Sequence, residues 1–171
     1  GLSFQKPSQN LPLETCETMN NSWGFNITDT SYKSVKQLIH YLVNASGRNA
    51  NFLLNVGPMP NGKLQPEFVD SLQQIGKWLQ ANGKTIYGTK GNIIKPQKLG
   101  VITAKNKVLY VHLLNPPAQE GYIFIPDLKE KIINASTFAG NNNIKFKQLP
   151  EGCFIYTNGI PLDDTDTIIQ L

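Results

Sequence analysis

The chain has 171 residues, 40% of them hydrophobic and 16% charged, which is enough to bury the core of one domain or slightly more. Its net charge is +4, and its 16 basic residues are scattered without interleaved aromatic residues, so we expect no nucleic-acid partner. No apolar run is long enough to span a membrane and the start shows no signal-peptide pattern, so we expect no membrane partner either.

The first informative stretch covers residues 11–26, LPLETCETMNNSWGFN. It combines two carboxylates, Glu14 and Glu17, with Cys16, several amides and Trp23, and it shows neither helical nor strand periodicity throughout. The pattern predicts a short buried strand that ends at Glu14 and opens into a loop carrying function. An aromatic ring beside carboxylates and amides suits a sugar, because the ring covers the C–H face while polar groups bind the hydroxyls. The amides could instead satisfy the backbone of the loop.

Two helices and a second strand follow. Apolar residues at 35, 38, 39, 42 and 43 share one helical face, with a cap among residues 28–31 and an end near Gly47. Residues 51–56, NFLLNV, are typical of a strand covered on both faces. The second helix begins at Pro66 and ends at Asn82, with Gly83 as its cap. This order predicts two β/α units whose parallel strands have both helices on one side.

The pattern changes after Gly88 to eight short β-rich runs, which predict an antiparallel sandwich starting near Gly91. The runs cover residues 92–95, 99–104, 107–114, 121–125, 132–138, 144–148, 153–157 and 167–171. A solvent-facing row of aromatic residues on one sheet would indicate carbohydrate binding. The candidates are Tyr110, Tyr122, Phe124, Phe146, Phe154 and Tyr156, although most lie in patterns that suit a core.

No metal or cofactor site is predicted. Cys16 and Cys153 lie too far apart for a metal motif, do not make a disulfide framework, and are expected to be buried free thiols. Neither His40 nor His112 has a second ligand at metal-binding spacing. Residues 163–166, DDTD, lack the glycine and distal glutamate of a calcium loop and are expected to form a solvated turn.

Residues 14–26 and 51–89 resemble the C-terminal third of an α-L-fucosidase of glycoside hydrolase family 29. The family pattern runs W-E-x-C, S-W-G-Y-N, G-G-N-x-L-L-N-x-G-P and G-x-W-L-x-x-N-G-E-x-I-Y. The chain differs from this pattern at four places: Leu13 replaces Trp, Phe25 replaces Tyr, and Lys84 replaces Glu. Arg48, Asn49 and Ala50 stand where the family has the glycine pair. The four motifs occur in order over residues 11–89, whereas residues 90–171 match only in general character.

The resemblance implies a fold and an activity. Residues 1–89 would be the last two β/α units of a (β/α)8-type catalytic barrel, and residues 90–171 a C-terminal antiparallel β-sandwich. The parent reaction would be hydrolysis of terminal α-L-fucose from glycoconjugates with retention, without a cofactor or metal. Glu14 would be a candidate acid/base or a contact for the sugar, with an Asp nucleophile upstream of this chain. Trp23 would bind the substrate by packing on the C–H face and methyl group of fucose.

The resemblance also implies partners. The isolated chain is expected to be inactive and to need the remainder of the barrel, or to self-associate through its α/β half. Its ligands would be fucosylated glycans, and family resemblance favours a periplasmic or secreted location. A different class remains open, in which the sandwich is a non-catalytic module that binds carbohydrate or stabilises the enzyme. Glu14 could also be structural.

Overall fold

The computed structural model describes residues 13–116 and 121–171. The described elements comprise nine strands, two α-helices and one 3-10 turn. They are β1 (Leu13–Thr18), α1 (Val35–Gly47), β2 (Ala50–Asn55), α2 (Pro66–Asn82), a 3-10 turn (Gly83–Thr85), β3 (Gly100–Lys105), β4 (Val108–Leu113), β5 (Tyr122–Pro126), β6 (Ser136–Thr137), β7 (Phe146–Leu149), β8 (Gly152–Tyr156) and β9 (Thr167–Gln170). None of the helices described is long and apolar enough to cross a membrane.

The α/β half contains one parallel strand pair. Strands β1 and β2 align from Leu13 opposite Ala50 to Thr18 opposite Asn55, as the β/α pattern predicts. The predicted end of β1 at Glu14 is wrong, because β2 offers backbone partners as far as Asn55 and the strand therefore continues to Thr18. The predicted start of the strand at residue 11 lies outside the described residues.

Both helices start where their sequences favour it. The cap of α1 is Ser34, whose hydroxyl accepts a hydrogen bond from the Gln37 backbone N–H at 3.2 Å, while the Gln37 side chain accepts one from Ser34 N at 2.8 Å. A cap among residues 28–31 was wrong by three residues. Helix α2 begins at Pro66 and is capped by Gly83, where an added Cβ would lie 2.7 Å from the Tyr87 ring.

Both helices cover the same face of the two-stranded sheet. Leu54 of β2 packs into a core with Leu38 and Val43 of α1 and Phe68 and Ile75 of α2. Because successive side chains of a strand alternate between faces, the opposite face carries the other set of residues. The exposed members of that set are Glu14, Cys16, Asn51 and Leu53, whereas Thr18, at the carboxyl end of β1, is buried. We call these four residues the bare face of the sheet.

The C-terminal half is an antiparallel sandwich. One sheet has the order β3-β4-β9-β6 and the other β5-β8-β7, with a shared apolar core between them. The predicted strand at 92–95 does not form: Asn92 has φ 59°, and Gly91 is held so close to α1 that an added Cβ would lie 2.1 Å from Ser46 O. The predicted run at 132–138 shortens to β6.

The β3-β4-β9-β6 sheet packs directly on the α/β half. Val101 of β3 joins the core of that half and lies where a side chain on Gly47 would be, 2.3 Å from an ideal Cβ. The mixed α/β and antiparallel β architecture expected from the sequence is therefore present, and one sandwich sheet lies between the helices and the β5-β8-β7 sheet.

A chain of buried polar groups crosses this junction. The Thr103 hydroxyl donates to Thr85 O at 2.7 Å and lies 3.2 Å from His112 Nε2. His112 Nδ1 lies 2.7 Å from Asp166 Oδ2, and neither side chain of this pair is exposed. Residues 163–166 were expected to form a solvated turn, which is wrong for Asp166, since it pairs with His112 inside the protein. His40 Nε2 of α1 contacts the neighbouring Thr165 O at 2.7 Å.

Candidate functional site

The loop that carries Trp23 lies across the carboxyl-terminal end of β2. Asn55, the last residue of β2, donates from its amide to Trp23 O at 2.6 Å. Gly57 touches the same loop so closely that an added Cβ would lie 2.5 Å from Gly24 C and 2.6 Å from Phe25 N. The Trp23 side chain remains 60% exposed. The carboxyl end of parallel strands is where loops of β/α proteins form binding sites, and Trp23 lies there with its ring open to solvent.

Asp29 holds the loop together from within. Its Oδ2 accepts hydrogen bonds from Ser22 Oγ at 2.7 Å and Asn21 N at 2.9 Å, and its Oδ1 accepts one from Ser31 N at 3.2 Å. The Ser22 hydrogen bond holds the pKa of Asp29 below its ordinary value of 3.8, with smaller contributions from the Ser31 and Asn21 N–H groups and Lys33. Sequence reasoning treated Asp29 only as a possible helix cap, because its partners become visible only when the loop closes.

Lys33 fixes the base of the loop against the end of β1. Its ammonium group donates to Asn20 O at 2.7 Å and to Thr18 Oγ1 at 3.1 Å, and it lies 3.4 Å from a Glu17 carboxylate oxygen. Glu17 sits three residues after Glu14 on the same strand and therefore points to the opposite side. The Glu17 carboxylate thus supports the loop rather than facing the bare side of the sheet.

The loop amides mainly satisfy the backbone around them. Asn20 is 1% exposed and accepts a hydrogen bond from Ser22 N at 3.1 Å. Asn26 accepts hydrogen bonds from Thr28 N at 3.1 Å and from the Thr28 hydroxyl at 2.8 Å. Asn20 and Asn26 therefore shape the loop, while sugar binding by the loop amides stays a prediction.

Glu14 lies on the bare face, well before the end of the strand. It is exposed and opposite Asn51, and the Cys16 thiol donates to Glu14 Oε1 across a long contact of 3.9 Å. Thr18 lies four positions further along the strand, or about 13 Å away at the usual rise of a strand. Glu14 therefore does not occupy the strand terminus expected for it, and the described structure shows no contact between Glu14 and Trp23.

The two thiols differ. Cys153 is buried as expected, and burial raises the pKa of its thiol. Cys16 is exposed, so the expectation of two buried thiols is wrong for it. The reason is its place on the bare face, which no described element covers. Within residues 13–116 and 121–171, no three His, Cys, Asp or Glu side chains cluster in a way that could hold a metal ion.

A parallel strand pair with covering helices, an aromatic loop at the carboxyl end of the strands and an antiparallel sandwich define a protein of the mixed α/β and antiparallel β class. Residues 3–84 match the alpha-L-fucosidase family. Tissue alpha-L-fucosidase of Mus musculus is 30% identical over 164 residues, covering 90% of this chain and 36% of the mouse protein. Alpha-L-fucosidase isoenzyme 1 from Paenibacillus thiaminolyticus is 32% identical with a TM-score of 0.83, over 94% of this chain and 39% of that structure.

A third similarity concerns a protein with a bound sugar. The alpha-L-fucosynthase of Thermotoga maritima, solved in complex with alpha-L-Fuc-(1-2)-beta-L-Fuc-N3, is 25% identical with a TM-score of 0.77, over 92% of this chain and 38% of that structure. The chain belongs to the alpha-L-fucosidase family and corresponds to its C-terminal part. It spans about a third of the length of the curated relatives it matches.

Proposed function

We propose that this chain forms one side of the active site of a retaining α-L-fucosidase, which hydrolyses terminal α-linked L-fucose from glycoconjugates. The observation that carries the proposal is the family membership combined with the exposed Trp23 ring, which is fixed at the carboxyl end of the parallel strands by Asn55 and Gly57. The fucosyl disaccharide bound to the similar T. maritima protein supports fucosylated glycans as the ligand class.

We also infer that residues 1–89 are the last two β/α units of a catalytic barrel and that residues 90–171 are a separate sandwich domain. The bare face supports this inference, because its four residues occupy the side that a closed barrel fills with layers of inward-pointing side chains. The two-stranded sheet also has unpaired outer edges among the described residues, which further barrel strands would pair. The remaining strands would come from a segment outside these 171 residues.

The proposed chemistry uses two carboxylates. Retention requires a nucleophile and an acid/base about 5 Å apart across the scissile bond. An Asp from outside this sequence would supply the nucleophile. We keep Glu14 as the candidate acid/base or as a group that contacts the substrate hydroxyls, because it faces the side that a closed barrel would enclose. Since Glu14 lies about 13 Å along the strand from the end that carries Trp23, the substrate would have to extend from Trp23 into the barrel to reach it. No metal or organic cofactor is needed for this reaction.

Trp23 would provide the apolar wall. Its indole ring would pack on the C–H face and methyl group of fucose, and its position would be held by the Asp29 hydrogen bonds and by Lys33. We propose a secreted or periplasmic location for the whole enzyme. The name of a similar human protein, plasma alpha-L-fucosidase, supports the secreted alternative.

The test uses the complete enzyme that carries these residues. Trp23→Ala should lower kcat/KM for an aryl α-L-fucoside. The corresponding loss of transition-state stabilisation is roughly 1–3 kcal/mol, as expected for one large apolar contact. Tyr87→Ala is the matched control, because Tyr87 is also 60% exposed but follows α2, at the opposite end of the β/α unit. Glu14→Gln should lower kcat more than Trp23→Ala does if Glu14 is the acid/base. An unchanged kcat/KM in a folded Trp23→Ala enzyme would remove Trp23 from the site.

A further inference from the structure

The outer face of the β5-β8-β7 sheet carries an ordered set of side chains. Residues directly opposite in antiparallel strands share a face, so the register defines rows across the three strands. The first row is Tyr122, Tyr156 and Lys145, the second is Phe124, Phe154 and Lys147, and the third is Pro126, Gly152 and Leu149. The alternate residues, including Ile123, Ile125 and Ile155, face the sandwich core. We call the nine residues of the three rows the aromatic face.

The rings of this face touch one another and remain partly open to solvent. Phe124 and Phe154 lie 4.6 Å apart between ring centroids, and Tyr122 lies 5.6 Å from Phe154. Tyr122 and Tyr156 are each 39% exposed, and the two phenylalanines are half-buried. The Phe124 ring leans over Gly152, whose missing side chain leaves room for it, since an added Cβ would be 2.8 Å from Phe124 Cζ. Mutual contact and this close fit give the rings fixed positions.

The aromatic face is remote from the proposed fucose site. The β3-β4-β9-β6 sheet lies between the β5-β8-β7 sheet and the α/β half, and it is Val101 of the first sheet that packs into the α/β core. Barrel strands that extended the β1-β2 sheet would join on the far side of that intervening sheet. They are therefore not the partner that covers the aromatic face.

The charges of the face are all of one sign. Lys145 and Lys147 are exposed and lie beside the aromatic rows, and none of the nine residues is acidic. The nearest carboxylates along these strands, Asp127 and Glu151, lie in the turns beyond the third row. Two copies of the face would bring four ammonium groups together and repel each other, which disfavours a second copy of this chain as the occupant.

We propose that the aromatic face is a binding site for a polysaccharide that carries negative substituents, such as sulfate or carboxylate groups. The tyrosine and phenylalanine rings would pack on the C–H faces of successive sugar units, as aromatic residues do at carbohydrate sites, and the two lysines would pair with the substituents. With strands about 4.8 Å apart and same-face neighbours about 6.7 Å apart along each strand, the face is about 10 Å by 13 Å and accepts a chain rather than one monosaccharide. It would hold the protein on such a polymer.

Single-stranded nucleic acid is the other polyanion that stacks on aromatic sheets. The scattered basic residues of this chain and its place in a family of glycan hydrolases favour the polysaccharide. The rings alone do not separate the two ligands, so both enter the experiment.

The experiment measures binding of the full 171-residue chain to three probes by affinity electrophoresis at about 0.15 M salt, the physiological ionic strength. The probes are dextran sulfate, neutral dextran of equal chain length and poly(dT). We expect dextran sulfate to bind at least about tenfold more tightly than neutral dextran, since each exposed ion pair contributes a little and several act together. The Tyr122→Ala/Tyr156→Ala variant should lose about tenfold in affinity for dextran sulfate.

Matched variants separate a built site from general attraction to a basic protein. Lys145→Gln/Lys147→Gln should weaken binding of dextran sulfate roughly fivefold. Lys77→Gln/Lys107→Gln removes the same charge from two exposed positions outside the face and should change it by less than about twofold. Tyr87→Ala is the aromatic control. All variants are first checked for unchanged circular dichroism, which exposed positions should preserve.

Three results would overturn the proposal. Equal weakening by the two lysine pairs would show non-specific binding of polyanions. Tighter binding of poly(dT) that depends on Tyr122 and Tyr156 would make the face a nucleic-acid site. No effect of the tyrosine changes on dextran sulfate would leave the rings a structural cluster. The binding experiment measures no turnover, so a failure of the fucosidase proposal would not change its outcome. Likewise, a failure of the binding experiment would not affect the fucosidase proposal.

Discussion

Replacing His112 by alanine should destabilise the protein strongly, because His112 is the central member of the buried row of polar groups between the sandwich and the α/β half. His112 and Asp166 form a 2.7 Å pair with no exposure of either side chain, and His112 Nε2 lies 3.2 Å from the Thr103 hydroxyl. Asp166 Oδ1 has no hydrogen-bond partner among the described residues, and Asp166 Oδ2 lies 2.7 Å from His112 Nδ1, so the carboxylate depends on the histidine. Removing it leaves a carboxylate inside the protein without compensation.

The expected cost follows from that geometry. Deleting the partner of a buried carboxylate costs about 3–5 kcal/mol, most of it the penalty on the group left behind. For a chain of this size, each kcal/mol lowers the unfolding midpoint by about 2–4 °C, so His112→Ala should lower it by roughly 6–20 °C. Thr103→Val, which keeps the shape but removes one hydroxyl, should cost about 1–3 kcal/mol because Thr85 O then loses its donor.

A double-mutant cycle tests this reasoning by urea unfolding. If Asp166 is costly only when unpaired, His112→Ala/Asp166→Ala should be less destabilising than the sum of the two single changes. Lys36→Ala is the control, because Lys36 of α1 pairs with Asp164, in the same 163–166 segment as Asp166, at 2.8 Å. Asp164 is 93% exposed, so this pair should contribute little. Additivity within about 0.5 kcal/mol in the cycle would refute the coupling of His112 and Asp166.

Three further predictions concern the α/β half. Gly57→Ala should displace the Trp23 loop and shift tryptophan fluorescence, because the new Cβ would meet the backbone of Gly24 and Phe25, whereas Gly24→Ala, with nothing within 4 Å, should not; equal spectra for both would contradict the close packing. Hydrogen bonding lowers the pKa of Asp29 in the folded state, so the Asp29 carboxylate stabilises the loop fully above pH 3.8 and loses this effect as the pH falls through the lower pKa of the folded state. Ser22→Ala removes the main hydrogen bond and should therefore move the acid transition of tryptophan fluorescence to higher pH. A transition that does not move would belong to another group. The isolated chain should release no aryl group from an α-L-fucoside, and turnover that co-purifies with the chain would show that the catalytic site is misassigned. The same chain should sediment as an oligomer, and Leu53→Lys on the bare face should increase the fraction of monomer. A monomer before mutation would show that the open sheet edge is misassigned.

The sequence predicted the parts of the fold in which one local pattern decides. The apolar spacing before Gly47, Pro66 at the start of α2 and the NFLLNV run each report a periodicity or backbone preference that tertiary contacts did not override. The run at 92–95 failed because its apolar residues suit a strand, while Asn92 takes a left-handed conformation and Gly91 is pressed against α1. That contact joins residues more than forty positions apart, and no local pattern reports it.

The junction was invisible for the same reason. His112 and Asp166 are 54 residues apart, and each alone looks like an ordinary surface or strand-edge residue. The aromatic face was predicted only in part. Six aromatic residues were candidates for an exposed row, but only the register shows that Tyr122, Phe124, Phe154 and Tyr156 share the outer side, while Tyr110 is 1% exposed and Phe146 packs on the core.

The two carboxylates of β1 show how much one strand boundary can decide. If the strand ended at Glu14, as the sequence pattern predicted, Glu17 would belong to a loop and could turn toward the substrate. In the structure the strand continues to Thr18, so the alternation of side chains fixes Glu17 on the opposite side from Glu14, where Lys33 holds its carboxylate at 3.4 Å. Glu14 stays on the bare face, where the Cys16 thiol makes a long contact with its carboxylate. If a carboxylate of this strand takes part in the proposed catalysis, the alternation therefore favours Glu14 over Glu17, and Glu14 would act from within the sheet rather than from its rim.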